Sequence, residues 1–300
     1  MEQLSVNMFW LALIATGLAT LLYWGHAFGV RSASGGLRRL ATNPDGASAG
    51  QSLIRLRRTA SFGQAATLAT WLAAAFLAVA LVARWRASGH APWSNMWEYT
   101  VAFAWGVSAA YIVFERSAWG ERTLGAFVQP VVLGLLAVAA AFFPSEIRPL
   151  VPALQNEPLL IAHVAMMVLA YSALSVSFGS AVVYLIQGEG NRFSRLPKAA
   201  LLDEIGYRSV MVGFPLLALG IALGAYWGNS AWGRYWGWDP KETSSLVTWL
   251  IYAGYLHMRG LRRWQGVRSA VLLIVGFLAV LFTYFAVNLW VSGLHSYAGV

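Results

Sequence analysis

The sequence predicts an all-α, polytopic integral membrane protein with about eight transmembrane helices and a tryptophan-rich loop outside the bilayer. Of its 300 residues, 58% are hydrophobic and 11% are charged, and the mean hydropathy is +0.58. This composition is typical of a membrane protein and excludes an ordinary soluble domain. The chain contains no cysteine, so it can form no disulfide, thiolate metal site or catalytic thiol.

Apolar runs of about 20 residues, each long enough to cross roughly 30 Å of hydrocarbon, recur along the chain. The predicted spans are 8–30, 62–84, 97–115, 123–143, 159–186, 208–226, 241–259 and 267–290. We interpret residues 1–300 as a single transmembrane domain. Its N-terminal spans lie within 8–143 and its core spans within 159–290, and the tryptophan-rich segment covers about 226–245.

Basic residues are concentrated in alternate connections between these spans. Sixteen of the 21 lysines and arginines lie in segments 31–61, 116–122, 187–208 and 259–268. Loops rich in lysine and arginine stay on the cytoplasmic side, so both termini and the tryptophan-rich segment are predicted to lie outside. This asymmetry explains the formal net charge of +9 more simply than nucleic-acid binding does. Membrane lipid is therefore an expected partner, and nucleic acid is not.

Four tryptophans fall within twelve residues just before the seventh span: Trp227, Trp232, Trp236 and Trp238. Three glycines lie between them and predict an irregular backbone, rather than a helix, that presents flat aromatic faces. The sequence Asp239-Pro240-Lys241-Glu242 then predicts a helix start. Asp239 is expected at the N-cap, and Glu242 completes a capping box. A capping role alone would account for both carboxylates.

Of the five histidines, His26, His163, His257 and His295 lie in or beside apolar spans, where an imidazole is costly enough to need a reason. His163 lies four residues into the fifth span and His295 follows the eighth, so both are predicted at the external face near the tryptophans. His257 follows Pro240 by 17 residues on one helix, which places it about 26 Å deeper. Hydrogen-bonded packing in the core is the alternative role for each histidine.

Two stretches of this region resemble a known signature. Residues 232–242, W-G-R-Y-W-G-W-D-P-K-E, and 255–259, Y-L-H-M-R, resemble the tryptophan-rich WWD motif of haem-handling membrane proteins. The pattern is similar in particular to the CcsA/ResC-type cytochrome c biogenesis family of system II. The resemblance implies haem delivery across the membrane and presentation of haem for covalent attachment to the Cys-x-x-Cys-His segment of apocytochrome c.

The resemblance also implies partners and a location. The chain would act as a subunit of a cytochrome c synthase, or haem lyase, together with a CcsB/ResB-type membrane partner. The implied cofactor is haem b. The implied membrane is the plasma (inner) membrane of a bacterium, with the thylakoid membrane as the alternative.

Site residues follow from the same resemblance. His163 and His295 would ligate the iron of one haem, and His257 would bind haem inside the membrane with a second ligand from the companion subunit. The remaining cofactor-binding residues would be Trp227, Trp232, Trp236, Trp238 and Asp239. Tryptophan faces can lie against a porphyrin, and two imidazoles hold haem iron without cysteine.

Some alternatives stay open at individual positions and for the whole chain. His26 is a second candidate partner for His257. Arg234 and Lys241 could meet haem propionates, or they could be solvated or lipid-facing. A haem exporter or chaperone without ligation activity is the alternative function. A membrane electron-transfer protein would need paired histidines at matching depths, and a solute transporter would need a broken polar span at mid-bilayer.

Overall fold

The computed structural model of the protein describes residues 1–42, 46–117, 121–150, 152–155, 157–193, 196–261 and 264–295, with the backbone alone at 28–42, 46–59, 152, 153 and 157. The described part contains helices, turns and irregular segments and no β-strand. Its long helices are α1 Glu2–Thr42, α2 Gly46–Ser88, α3 Met96–Arg116, α4 Gly125–Phe142, α5 Glu157–Gln187, α6 Ala199–Trp232, α7 Pro240–Arg259 and α8 Val267–Leu281. Helix α8 continues through a π-helical turn, Phe282–Ala286, to Leu289.

Each predicted span corresponds to one of these helices, which confirms the predicted fold class. Within the described residues, six segments are long and apolar enough to cross a membrane: Glu2–Ala27, Ala60–Ser88, Arg122–Phe142, Pro158–Gln187, Ala199–Trp232 and Val267–Leu289. Helices α3, with 21 residues, and α7, with 20, are about as long as the shortest of these six segments, but they carry more polar residues. Helix α3 can do so because protein surrounds most of it. For example, Glu98 is fully buried and pairs with Arg84 at 2.7 Å, as a charge within a membrane protein requires.

The helices form one continuous bundle. Helix α1 packs along α2 and against α4, while α3 packs on α2, α4 and α5. Helix α5 lies along α6 and also contacts α8, and α7 packs on α6 and α8. Helices α3 and α5 approach closely at Gly106, where a methyl group would lie 2.3 Å from the Ser172 hydroxyl. The arrangement brings the start of α5, the end of α6, the start of α7 and the end of α8 to one end of the bundle, which we call the tryptophan end.

The prediction of an irregular backbone across all four tryptophans was wrong for the first two. Helix α6 continues to Trp232, so Trp227 and Trp232 are helical. A glycine inside a helix costs only about 0.5–1 kcal/mol, and the packing of Trp227 in a buried apolar cluster outweighs that cost. The helix ends at Gly233, whose left-handed conformation (φ 72°) suits glycine. Residues 233–239 form the irregular segment.

Candidate functional site

Two histidines from distant parts of the chain lie beside the same tryptophan. Trp227 is 1% exposed. The His163 ring, on α5, lies parallel to the Trp227 indole within 5°, with a centroid distance of 6.2 Å. The His295 ring, after α8, lies 6.1 Å from Trp227 and packs edge-on against Trp232 at 4.8 Å. The structure therefore brings together His163, His295 and two of the predicted tryptophans at one end of the bundle.

The His163 ring is held in one orientation by the backbone of α6. Its Nδ1–H donates to the carbonyl oxygen of Gly220 at 2.7 Å. A carbonyl oxygen can only accept, so this bond assigns the proton to Nδ1 and the lone pair to Nε2. The close approach requires glycine on α6, because a methyl group at Gly224 would lie 2.6 Å from His163 Cε1. The geometry presents Nε2 as a possible metal ligand.

The His295 ring is held in a similar way by a carboxylate. Its Nδ1–H donates to Asp239 Oδ2 at 2.8 Å, which again leaves the lone pair on Nε2. Asp239 is buried and also accepts the Leu294 N–H at 2.6 Å on Oδ1 and the Lys241 N–H at 3.0 Å on Oδ2. Gly293 permits this approach, because a methyl group there would lie 2.5 Å from Asp239 Oδ1.

These contacts fix the protonation of both partners. Burial tends to raise the pKa of the Asp239 carboxyl, but the hydrogen bonds from His295 and from two backbone N–H groups outweigh it and lower that pKa to about 2. Burial lowers the pKa of His295 below its usual value, despite its bond to Asp239. At neutral pH the pair is therefore a carboxylate and a neutral imidazole, which is the protonation state that a metal-binding histidine needs.

Asp239 has two roles at once. The predicted capping box at the start of α7 is confirmed: Asp239 caps the helix, and Glu242 Oε2 accepts the Asp239 N–H at 3.1 Å. Asp239 also accepts hydrogen bonds from the Leu294 N–H and the His295 ring, 55 and 56 residues away in sequence, and capping requires neither of them. Capping alone therefore does not account for this residue.

A small two-lobed cavity is lined by both histidines. The lobes enclose about 70 and 50 Å³. Both are lined by His163, Met167, Tyr171, Lys241 and His295. Sites for drug-sized ligands usually enclose about 300–1,000 Å³. A porphyrin could therefore bind between the imidazoles only if the walls separate, whereas the donor set itself, two neutral imidazoles beside indole faces, fits haem iron.

Lys241 lines the cavity, so a solvated or lipid-facing position, the alternative that its sequence context left open, is wrong. Its ammonium lies in the cavity wall and donates to Asn288 Oδ1 at 2.6 Å. Asn288 and Tyr284, which also line the cavity, belong to the π-helical turn of α8 and the residues that follow it. Such turns often mark functional positions, but nothing in the sequence distinguishes this stretch from ordinary helix. Arg234 is exposed, and its guanidinium lies against the Gly237 backbone rather than in the cavity.

The other two predicted tryptophans lie nearer the surface. Trp236 lines the smaller lobe of the cavity and packs edge-on against Trp238, with ring centroids 5.8 Å apart. Trp238 is 69% exposed and has a positive φ of 56°, a conformation that is unusual for a bulky residue. The tryptophan segment therefore has a buried part that contacts the histidines and an exposed part that faces outward.

His257 lies apart from this site, toward the far end of α7. It is exposed. Near it, Arg259 makes two 2.8 Å contacts with the carboxylate of Asp203, which tie α7 to α6. His26 packs against Gly63 of α2, on helices that lie on the α1–α4 side of the bundle. His90 is buried, and its Nδ1–H donates to the Ala91 carbonyl at 3.0 Å.

Comparison with known proteins identifies the family. The family model described as cytochrome C assembly protein matches residues 93–295, a range that contains the whole histidine and tryptophan site. The chain belongs to the cytochrome c assembly protein family. This confirms the resemblance inferred from the tryptophan motif.

Relatives of this family member include proteins named cytochrome c biogenesis protein CcsA. The one from Synechococcus elongatus is 39% identical over 272 residues, covering 74% of this chain and 83% of the relative. The one from Porphyra purpurea is 37% identical over 291 residues, covering 82% and 91%. A solved structure named cytochrome c heme lyase CcmF superposes with a TM-score of 0.60 at 20% identity, over 94% of this chain and 46% of that protein. At this identity the likeness shows a shared fold.

Proposed function

We propose that this protein carries haem across the membrane and presents it for covalent attachment to apocytochrome c, as a cytochrome c synthase subunit with a CcsB/ResB-type membrane partner. One observation carries the proposal. His163 and His295, contributed by segments 132 residues apart, face one indole-lined cavity with Nδ1–H of each ring already bonded. Metal-ligating histidines almost always donate their other ring N–H to a carboxylate or a backbone carbonyl in this way.

The residues of the site would divide the work of holding haem b. His163 and His295 would offer Nε2 to the iron. Trp227 and Trp232, which pack against these two histidines, would cover the porphyrin and limit the access of water to it. Asp239 would keep His295 in the ligand tautomer and orientation, while Trp236 and Trp238 would extend the aromatic surface outward toward an arriving polypeptide. The protein would contribute position and protection, since the reactive groups belong to haem and apocytochrome c.

The chemistry supplied by haem and apocytochrome c is thioether formation. Each thiol of the Cys-x-x-Cys-His segment adds across one haem vinyl group, so that sulfur bonds to one carbon and hydrogen goes to the other. The addition consumes no oxidant or reductant. The histidine of the same segment would then replace His163 or His295 on the iron, and this exchange would release the product from the site.

The distribution of basic residues supports an orientation with the tryptophan end and both termini outside. In that orientation, His257 lies on the cytoplasmic side of the external histidines. Its exposure on α7 is consistent with an inner haem site that a neighbouring subunit completes. The membrane would be the plasma membrane of a bacterium or the thylakoid membrane.

Co-expression with a CcsB/ResB-type subunit and a Cys-x-x-Cys-His reporter tests the proposal. The expected result is a low-spin bis-imidazole haem spectrum in the purified complex, together with covalently haem-loaded reporter. A haem-loaded complex that yields no covalent reporter would instead indicate an exporter or chaperone. A complex that never acquires the low-spin spectrum would contradict the proposal as a whole.

A further inference from the structure

Lys241 places a positive charge in the wall of the candidate haem site. Its side chain lines both lobes of the cavity, together with His163 and His295. Within the part of the chain that the structure describes, its ammonium donates one hydrogen bond, to Asn288 Oδ1 at 2.6 Å. The Asn288 amide is itself fixed, because its Nδ2 donates to the Tyr284 carbonyl at 2.5 Å. The contact that holds Lys241 is therefore neutral.

The nearby carboxylates are engaged elsewhere. Among the described residues, no carboxylate oxygen lies within 4.0 Å of the Lys241 ammonium. Both oxygens of Asp239 accept hydrogen bonds, from His295 and from the backbone N–H groups of Lys241 and Leu294. Glu242 Oε2 accepts the backbone N–H groups of Gly237 and Asp239. The positive charge of Lys241 thus lacks a direct ionic partner in the described part of the protein.

A partly desolvated ammonium without a counter-ion is unfavourable, and this one has hydrogen-bonding capacity left. A lysine ammonium has three N–H donors, and Asn288 takes one of them. Placing a charge away from water is costly unless it is paired. The larger lobe that Lys241 lines is mainly aromatic and apolar, and the smaller lobe adds Ser245, Thr283 and Glu242. A negatively charged group on a bound ligand would therefore supply the counter-ion that the ammonium lacks.

We propose that Lys241 binds one propionate carboxylate of the haem held between His163 and His295, and so sets the rotation of the ring within its plane. The inference rests on the proposed function. Haem is an apolar disc with its anionic groups on one edge. The larger lobe offers mainly aromatic and apolar side chains for the disc, and Lys241 offers a cation for the anionic edge. The ion pair fixes which edge of haem enters, and therefore where the vinyl groups lie relative to the tryptophan segment.

Haem dimethyl ester has the same ring as haem, but both of its propionates are uncharged. A comparison of the two compounds therefore separates the ion pair between Lys241 and a propionate from general affinity for the porphyrin ring. The experiment measures the affinity of the purified full-length protein for each compound by absorption titration. Charge-assisted hydrogen bonds of this kind correspond to roughly ten- to a hundredfold in affinity. We expect the wild-type protein to prefer haem by about that factor. The Lys241→Met variant should bind haem more weakly than the wild-type protein does. Its affinity for the ester should change little, so the preference for haem should be lost.

The chain contains two lysines, so Lys198→Met is a matched control. Lys198 is exposed at the start of α6, away from the tryptophan end, and its replacement should leave the preference intact. Lys241→Arg keeps the charge and should keep most of the preference. The low-spin spectrum with the ester reports whether each variant retains a formed site.

Two outcomes would overturn the inference. One is equal affinity of the wild-type protein for haem and the ester, which requires no variant. The other is a preference for haem that persists unchanged in Lys241→Met. Either result leaves the proposed function in place as long as both compounds give a low-spin spectrum that depends on His163 and His295. Absence of that spectrum in the wild-type protein would instead contradict the proposed function itself.

Discussion

The two ends of the bundle hold their histidines in different states. At the tryptophan end, His163 and His295 are each held by an Nδ1–H bond, of 2.7 Å to a carbonyl and 2.8 Å to a carboxylate. Toward the other end, His257 is exposed on α7. The strong polar contact near it, between Arg259 and Asp203, joins two helices and does not orient the ring.

This difference indicates how each end could bind a metal. Ligands that are already oriented bind with a smaller loss of conformational freedom, so the tryptophan end can form a two-histidine site from this chain's own residues. His257, in contrast, is exposed, so its ring is accessible to a neighbouring molecule that lies beside α7. We therefore expect haem binding at the tryptophan end to depend on this chain, and binding at His257 to depend on a partner.

The largest effect should come from removing one imidazole at the tryptophan end. His163→Ala or His295→Ala deletes an axial ligand, so affinity should fall by more than the roughly 10–100-fold that loss of a metal ligand's hydrogen-bond partner costs. Absorption spectra should lose the low-spin bands, and added imidazole should restore them. Unchanged spectra in both variants would exclude these residues as ligands.

A smaller effect is expected from the residue that orients His295. Asp239→Asn removes the charge and allows the amide to present a donor to Nδ1. Haem affinity should fall roughly 10–100-fold while the low-spin spectrum persists at saturating haem. Glu242→Gln is the control, because Glu242 contributes to the same cap through hydrogen bonds from the backbone N–H groups of Gly237 and Asp239. If the two variants lose affinity equally, Asp239 acts only through the start of α7.

Acid should release haem from the tryptophan end at a pH below the usual range for histidine. The pKa of His295 is lowered by burial, so its ring stays neutral as the pH falls through 6.5 and loses its lone pair only at lower pH. Asp239 has a pKa of about 2 and stays ionised throughout that range. The midpoint of a spectroscopic pH titration should therefore lie below 6.5. A midpoint at or above that value would contradict this protonation scheme.

A methyl group tests how closely α6 must approach the ligand. Gly224→Ala would place a carbon 2.6 Å from His163 Cε1, so the ring must shift and haem affinity should fall measurably. Gly134→Ala is the control, because Gly134 is also helical and has no atom within 4 Å of the added carbon. That change should leave haem binding unaltered and can raise thermal stability. Equal haem affinity in the two variants would argue against a fixed His163 ring.

The smallest effect on the tryptophan end should come from His257→Ala. His257 is on the same helix as Asp239, but it lies about 26 Å away along the axis. The spectrum of haem bound at the tryptophan end should be unchanged when haem is supplied directly. In the complex with a companion subunit, the variant should lose any second haem signal. A loss of the external signal in the isolated chain would show that the two ends are coupled.

Sequence patterns predicted the helices well, since apolar runs of span length leave little choice of structure in a membrane. They also predicted the cap at Asp239 and the family. The end of α6 was not predictable from local signals, because packing around Trp227 overrides the glycine at 228. Contacts between distant residues were equally inaccessible. The bond from His295 to Asp239, the Gly220 carbonyl that holds His163, and the position of Lys241 in the cavity all depend on how four helices meet.

A cryo-EM structure of the haem-loaded protein would show whether His163 and His295 hold one iron together. We expect iron bonded to Nε2 of both His163 and His295, one on each face of a single porphyrin, with the bonds from Nδ1 to Gly220 and Asp239 retained. Three results would contradict this expectation. Iron could be bonded to only one of these histidines, it could be bonded to Nδ1 instead of Nε2, or it could lie remote from Trp227.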